Sequence, residues 1–297
     1  MRALGLLPLS LYIVSLLARV SFAGEISLLV FPESRAVFQG GVVVISVSGK
    51  GLAGMRAFHR DREVPFFPTG ESGSYRALLG VDLEERPGPM KVSIRARGKG
   101  EKKVPLVMQI KKKEFLTERL SVSAAFDRFD EKTLERIRRE KKRIVRLWSG
   151  SSRQRWWRGR FVAPVPGEIT SQFGRRRIIN GSPRSPHGGV DLRASQGAEV
   201  VASNHGRVVL RDHFFFSGKS IVLDHGGGLY TMYFHLSEFR AEEGSQVRKG
   251  EVIGRVGMTG RVTGPHLHWG VRLNRARVDP FELLKGVLGR TIPITKK

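Results

Sequence analysis

Apolar and polar positions divide the chain into three stretches of different rhythm. Short apolar runs at 26–31, 42–47, 76–79, 90–96 and 104–110 alternate with turn signals at Gly40-Gly41, 70–73 and Pro87-Gly88-Pro89. Runs this short, at roughly 8–12-residue spacing, predict an all-β, Ig-like sandwich over 24–110. From Asp130 the period changes. Leu134, Ile137, Ile144 and Trp148, with Val145 beside them, recur mostly at threes, fours and sevens, which predicts an amphipathic helix. Asp130 suits its N-cap, and a basic C-terminal end suits the helix dipole. Ser149-Gly150 ends the pattern, and the basic-aromatic stretch 153–160 follows. That stretch reads either as a contact with an anionic surface or as a linker seating Trp156 and Trp157 on their neighbours. Residues 161–297 return to strands and tight turns, with hairpin signals such as 224–228. The expected division is therefore a β-sandwich (24–110), a charged helical linker (111–160) and a second β domain (161–297), mainly β overall.

Composition narrows the chemistry. A length of 297 residues allows two domains, and 40% hydrophobic with 27% charged residues argues against disorder and against a polytopic membrane protein. With no Cys, disulfides, thiolate metal clusters and a cysteine nucleophile are excluded. Any metal must use His, Asp, Glu or backbone oxygen. A formal charge of +25 and a pI near 11.2 imply a polyanionic neighbour. Residues 111–160 hold 17 basic and 7 acidic residues, so the charge is densest in the linker.

The first residues bear on which polyanion. Residues 1–23 carry Arg2, an apolar run of about 15 residues at 4–18, and small residues at Ser21 and Ala23 before Gly24. The run is shorter than the roughly 20 residues a span requires. The pattern predicts a cleaved signal peptide, with an uncleaved anchor as the alternative. Export to the periplasm or cell envelope makes wall or membrane, and not nucleic acid, the expected partner.

Three pieces carry candidate chemistry. In SPHGGVDLRA, His187 and Asp191 stand four apart around two glycines and can converge on one metal. In TGPHLHWGV, His266 and His268 are two apart, so on a strand both rings enter one cleft. In LYTMYFHLSEF, His235 alternates with Thr231 and Tyr233 on one strand face. Each alone is an ordinary pattern; together they contain what metal-assisted hydrolysis needs. A catalytic zinc takes three protein ligands and keeps a position open for water, and other side chains must handle that water's proton.

These segments, from FGRRRIINGSPRSPHGGVDLRASQGAEVVAS through LYTMYFHLSEF to GSQVRKGEVIGRVGMTGRVTGPHLHWGV, resemble in order the LytM/lysostaphin-type zinc metalloendopeptidases. The resemblance covers about residues 161–285. It implies a compact antiparallel β domain of the duplicated hybrid motif kind, and a zinc endopeptidase that cuts peptide crosslinks of peptidoglycan with zinc-bound water. It assigns His187, Asp191 and His268 to the metal, and His266 to the water as base. His235 pairs with His266, in activating water or in stabilising the transition state. The five positions are intact, whereas non-enzymatic relatives that only activate another hydrolase typically have a gap in the ligand set. That activator role is the alternative reading. His225 matches a family position without a ligand role and reads either as a group supporting the ligands from behind or as hairpin packing. Asn180 is expected at a groove rim, and Gly260, Thr263 and Gly264 in backbone near substrate. The motifs suit a pentaglycine, a D-Ala–diaminopimelate or another crosslink alike.

Overall fold

The computed structural model describes residues 20–22, 26–32, 34–52, 54–60, 62–97, 101–121, 129–149, 152 and 154–285. The apolar run of the predicted signal peptide lies outside the described residues. Val20–Phe22, at its end, pairs antiparallel with the start of Ile26–Phe31.

The N-terminal half is a nine-strand ribbon. Its order is Val20–Phe22, Ile26–Phe31, Val42–Gly49, Ser74–Gly80, Arg62–Pro68, Gly54–His59, Gly88–Arg97, Glu101–Lys111 and Ala36–Phe38. Arg62–Pro68 joins its two parts, pairing with Gly54–His59 through 62–65 and with Ser74–Gly80 through 66–68. The ribbon closes over one apolar core containing Val43, Ile45, Ala57, Leu79, Ile94, Leu106 and Met108. The unbroken run Val42-Val43-Val44-Ile45 has a physical reason, because its strand is buried on both faces. Val43 and Ile45 point into this core, whereas Val42 and Val44 point the other way.

Those outward valines meet the C-terminal half. Val42, Val44 and Leu78 share a core with Trp157 and Phe161 of the connecting segment and with Leu229, Val271, Leu273 and Val278. Polar contacts lock the same seam. Arg277 grips Asp82 with a side-chain bond of 2.7 Å and a backbone N–H at 2.8 Å, and reaches Glu84 at 2.6 Å. Burial alone would raise the Asp82 carboxyl's pKa, but these donors hold it below its usual value. Gly80 lies so close that a Cβ there would come within 2.6 Å of Leu273 O, which leaves no space for a side chain.

The C-terminal half is a ten-strand antiparallel sheet. Its main path runs Ile169–Ser171, Gly189–Leu192, Leu267–Leu273, Leu229–Phe239, Gly218–Gly226, Gly206–Phe214 and Gln246–Val247, with Glu199–Val201, Val252–Val256 and Ala276–Val278 attached. Trp269, Tyr233, Leu236 and Ile221 centre its core. The opposite face, Tyr230 and Met232, is covered by the helix Glu131–Leu147 and Trp148.

That helix is fastened at both ends. Asp130 caps it by accepting from Thr133 N at 2.7 Å, and Tyr230 OH donates to Leu147 O at 2.8 Å. Between them Arg136 donates to His213 O, Glu140 accepts from Phe215 N, and Arg143 pairs with Asp212 and Glu243. Leu134, Ile137 and Ile144 are half-buried, whereas Val145 faces solvent at 53% exposure. Trp157 is buried in the shared core, and Trp156 N donates to His225 O.

Candidate metal centre

Strand register brings the centre together. Leu267–Leu273 lies between two partners, so His268 has Asp191 opposite it on one side and Phe234 on the other. His187 precedes the Gly189–Leu192 strand and folds back onto Asp191. His187 Nε2 is 3.0 Å from Asp191 Oδ1, His268 Nδ1 is 2.9 Å from the same oxygen, and the two nitrogens are 3.0 Å apart. His187, Asp191 and His268 thus each offer one ligand atom, all within 4.8 Å of one another, a group that could hold a metal ion.

The surroundings orient these atoms. A carbonyl can only accept, so the 3.0 Å bond from His187 Nδ1 to Gln172 O puts a proton on Nδ1 and turns Nε2 to Asp191. The His268 ring stacks flat on Phe234, with centroids 5.3 Å apart at 6°. Its far side fits against Gly189, where a Cβ would approach His268 Nε2 to 2.8 Å. Burial would raise Asp191's pKa, yet hydrogen bonds from His187 and His268 hold it far below the usual carboxylate range.

His266 and His235 stand on the same side. His266 Nε2 is 3.8 Å from Asp191 Oδ1, and its Nδ1 donates to Gly264 O at 2.9 Å. The His235 ring lies 4.9 Å from that of His266 and 6.2 Å from that of His268. Its Nδ1 donates to Thr259 O at 3.0 Å. Burial, and then the charge of His268, pull the His235 pKa down to about 4.

Simple alternation puts His235 on one face with Thr231 and Tyr233, and the structure departs from it. The register slips where Lys219 pairs with Leu236 but Ile221 with Tyr233, and His235 takes a positive φ of 65°. This bulge turns both Phe234 and His235 toward the centre. Thr231 and Tyr233 instead join a buried chain: His225 Nδ1 donates to His205 O at 2.7 Å, His225 Nε2 meets Thr231 Oγ1 at 2.7 Å, and Thr231 meets the Tyr233 hydroxyl at 2.8 Å. His225 is fully buried there, and that burial lowers its pKa to about 4. His205 and His213 lie outside the centre, and His59 is buried in the N-terminal half, donating to Lys91 O.

Segments from outside the motifs form the rims. The strands Arg176–Ile179 and Ser182–Pro183 are joined by Asn180-Gly181, both at positive φ as a tight hairpin turn requires. They are joined in turn by Thr117–Leu120, and Glu118 reaches Arg175 and Arg177 at 3.7 and 3.4 Å. His187 N donates to Arg175 O, so this small sheet abuts the centre. The other rim is the 257–266 segment. Gly260 lies against Gly218, where a Cβ would come 2.3 Å from N. Arg261 lies over the rings of Phe129 and Phe216 at 5.1 and 5.8 Å. Sequence reasoning missed Phe234, Glu118 and Phe129. Phe234 was legible only as the neighbour of His235, and nothing in local pattern announced the other two.

A family model described as Peptidase family M23 matches residues 185–280. A Pseudomonas aeruginosa protein described as a peptidase M23, with a solved crystal structure, is 31% identical over 83% of this chain and 94% of its own, at a TM-score of 0.66. The DD-carboxypeptidase/endopeptidase Mpg of Neisseria meningitidis is 46% identical over 115 residues, 39% of this chain and 26% of that protein. The peptidoglycan DD-endopeptidase ShyA of Vibrio cholerae is 38% identical over 150 residues, 50% of this chain and 34% of that protein. The chain spans about a quarter to a third of the length of these curated relatives.

Proposed function

The chain belongs to peptidase family M23, and we propose that it is a zinc-dependent endopeptidase of the cell envelope that hydrolyses peptide crosslinks in peptidoglycan. One observation carries the reading: His187, Asp191 and His268, from separate strands and a loop, offer two nitrogens and one carboxylate oxygen within 4.8 Å. Such a donor set fits zinc, which takes imidazole and carboxylate and leaves a position open when only three protein ligands are present. His187 would bind through Nε2 and His268 through Nδ1, the atoms already turned to Asp191. When bound, zinc supplies a Lewis acid that polarises a carbonyl and acidifies water.

The remaining chemistry belongs to the chain's own groups. His235 and His266 each donate Nδ1–H to a backbone carbonyl, so in the neutral form each presents Nε2 as a proton acceptor. A His235 pKa near 4 keeps that ring neutral at ordinary pH. This supports a part for His235 in activating water together with His266, over donating to a developing oxyanion. The shared core fixes the N-terminal half, read as an Ig-like sandwich, against the metallopeptidase half. The exposed face of the helix, with Arg138, Arg139, Lys141, Lys142 and Arg146, suits contact with an anionic envelope surface. A signal peptide at 1–23 would deliver the chain there.

The test is mass spectrometry of muropeptides released from purified sacculi by the full chain, with and without chelator. Loss of crosslinked dimers to monomers, abolished by chelator and restored by zinc, is the expected result. Unchanged crosslinking with zinc-loaded protein would overturn the reading.

A further inference from the structure

The basic-aromatic stretch 153–160 divides between two roles. Trp157 enters the shared core, whereas Trp156 stays half-buried and lines a cavity of about 650 Å³ with Arg155, Arg158, His205 and Arg248. The cavity lies where Gly206–Phe214 meets Gln246–Val247, at the far edge of the C-terminal sheet. Gly206–Phe214 is three strand steps from Leu267–Leu273, roughly 14 Å across the sheet, so this cavity is separate from the metal centre. We propose that it binds a phosphorylated saccharide, with Arg158 and Arg248 on the phosphate and Trp156 against the sugar ring.

Backbone contacts place the two arginines on either side of His205. The fully buried Asn204 accepts at Oδ1 from Arg158 N at 3.0 Å and from His205 N at 2.9 Å, and its Nδ2 donates to Arg158 O at 3.1 Å. From the other side, Lys249 N reaches His205 Nδ1 at 3.4 Å, which seats Arg248 beside the same ring. Neither guanidinium has a hydrogen-bond or ion-pair partner among the described residues. Glu251, a carboxylate in the cavity wall, accepts from Arg248 N at 2.9 Å and makes no ion pair with the Arg248 guanidinium. Arg155 adds a third positive charge, its guanidinium held 4.9 Å above the Trp157 ring. Cations held together without a counter-ion repel, and a phosphate, carrying about two negative charges and three acceptor oxygens, relieves that repulsion.

Trp156 decides what accompanies the phosphate. Its Nε1 is buried with no partner among the described residues, so the part of the side chain that meets the cavity is carbon. Such a surface suits the C–H face of a sugar ring. Gln154, Gln246 and Glu251 line the same cavity and supply the amide donors and the acceptors that sugar hydroxyls use. Inorganic phosphate would leave this wall uncovered, and a saccharide without phosphate would leave the arginines unpaired.

Binding here requires neither metal nor turnover, so the test stands apart from the peptidase reading. The full chain is titrated calorimetrically at low salt with N-acetylglucosamine phosphorylated on its primary hydroxyl, with unphosphorylated N-acetylglucosamine, with inorganic phosphate and with AMP. The sugar phosphate is expected to bind about tenfold more tightly than any of the others, the scale of one charge-assisted contact or one buried ring face. Arg158→Gln/Arg248→Gln, at two exposed positions, should lose at least tenfold of that affinity. Trp156→Ala should lower the sugar phosphate to the level of inorganic phosphate, while Trp156→Tyr, which keeps a ring in place, retains most of the preference. Equal binding of phosphate and sugar phosphate, tighter binding of AMP, or an affinity unchanged in the arginine variant would overturn the site. Binding to phosphatidylglycerol vesicles with none to the sugar phosphate would assign the arginines to a lipid surface and overturn it as well.

Discussion

The Nδ1 of His235 lies 3.0 Å from the carbonyl oxygen of Thr259, and in that bond the imidazole is the donor. Thr259 is itself pinned, because its Oγ1 donates to Leu236 O at 2.7 Å and accepts from Lys219 N at 2.9 Å. Thr259→Ala removes both anchors of the carbonyl that sets the His235 tautomer. The expected result is about a tenfold loss of kcat, equivalent to one net hydrogen bond, with metal content unchanged and recovery in Thr259→Ser. Steady-state kinetics beside elemental analysis checks it; loss of metal would show that Thr259 holds the whole centre and not one ring.

Ligands and proton carriers should separate experimentally. Asp191→Ala and His268→Ala are expected to purify without stoichiometric zinc and without activity. His266→Ala is expected to keep zinc and to lose about 100-fold or more of its turnover, the scale of general base catalysis. Zinc per chain measured on the purified variants decides the assignment, and metal loss from His266→Ala would exchange the roles of the two histidines.

The buried His225 makes stability depend on pH. Its folded pKa is about 4 against an ordinary 6.5, so the native state resists protonation that the unfolded chain accepts. The unfolded state therefore binds more protons between those values, and stability falls as pH drops from about 6.5 toward 4. The contribution at stake is roughly 3 kcal/mol. Urea unfolding at pH 7 and pH 4.5 should show the loss, and His225→Gln should flatten that part of the profile even if its stability at pH 7 is lower.

The seam between the halves is testable through Arg277. Removing its guanidinium leaves Asp82 half-buried beside Glu84 with its principal donor gone. Arg277→Ala should cost about 2 kcal/mol, discounted from the fully buried case because both side chains keep some solvent contact. Denaturant unfolding followed by Trp fluorescence reads this. Unchanged stability would mean that the apolar seam alone carries the junction.

Much of this was legible in the chain. The N-cap at Asp130 and the apolar stripe of the helix are local effects, and local pattern reveals them. His187 with Asp191, four apart, and His266 with His268, two apart, were legible as candidate metal-binding pairs, but which three of these residues take the metal was implied only by the resemblance to the LytM/lysostaphin-type enzymes. What pattern could not reveal were the departures from regularity and the long-range pairings. The bulge at His235 depends on how the 218–226 strand registers with its neighbour, which no single strand encodes. Glu118 and Phe129 reach the rims by contacts of long sequence separation. Val42 and Val44 look like any buried strand until a second core is found on their far side.

That two-faced strand also sets the unit in which this protein can be inherited. A segment cut at residue 161 would carry the metal centre but expose Leu229, Val271 and Leu273, while the remainder would expose Val42, Val44 and Leu78. Recombination that swapped one half for a homologue's would have to match the facing valines and the Gly80 approach together.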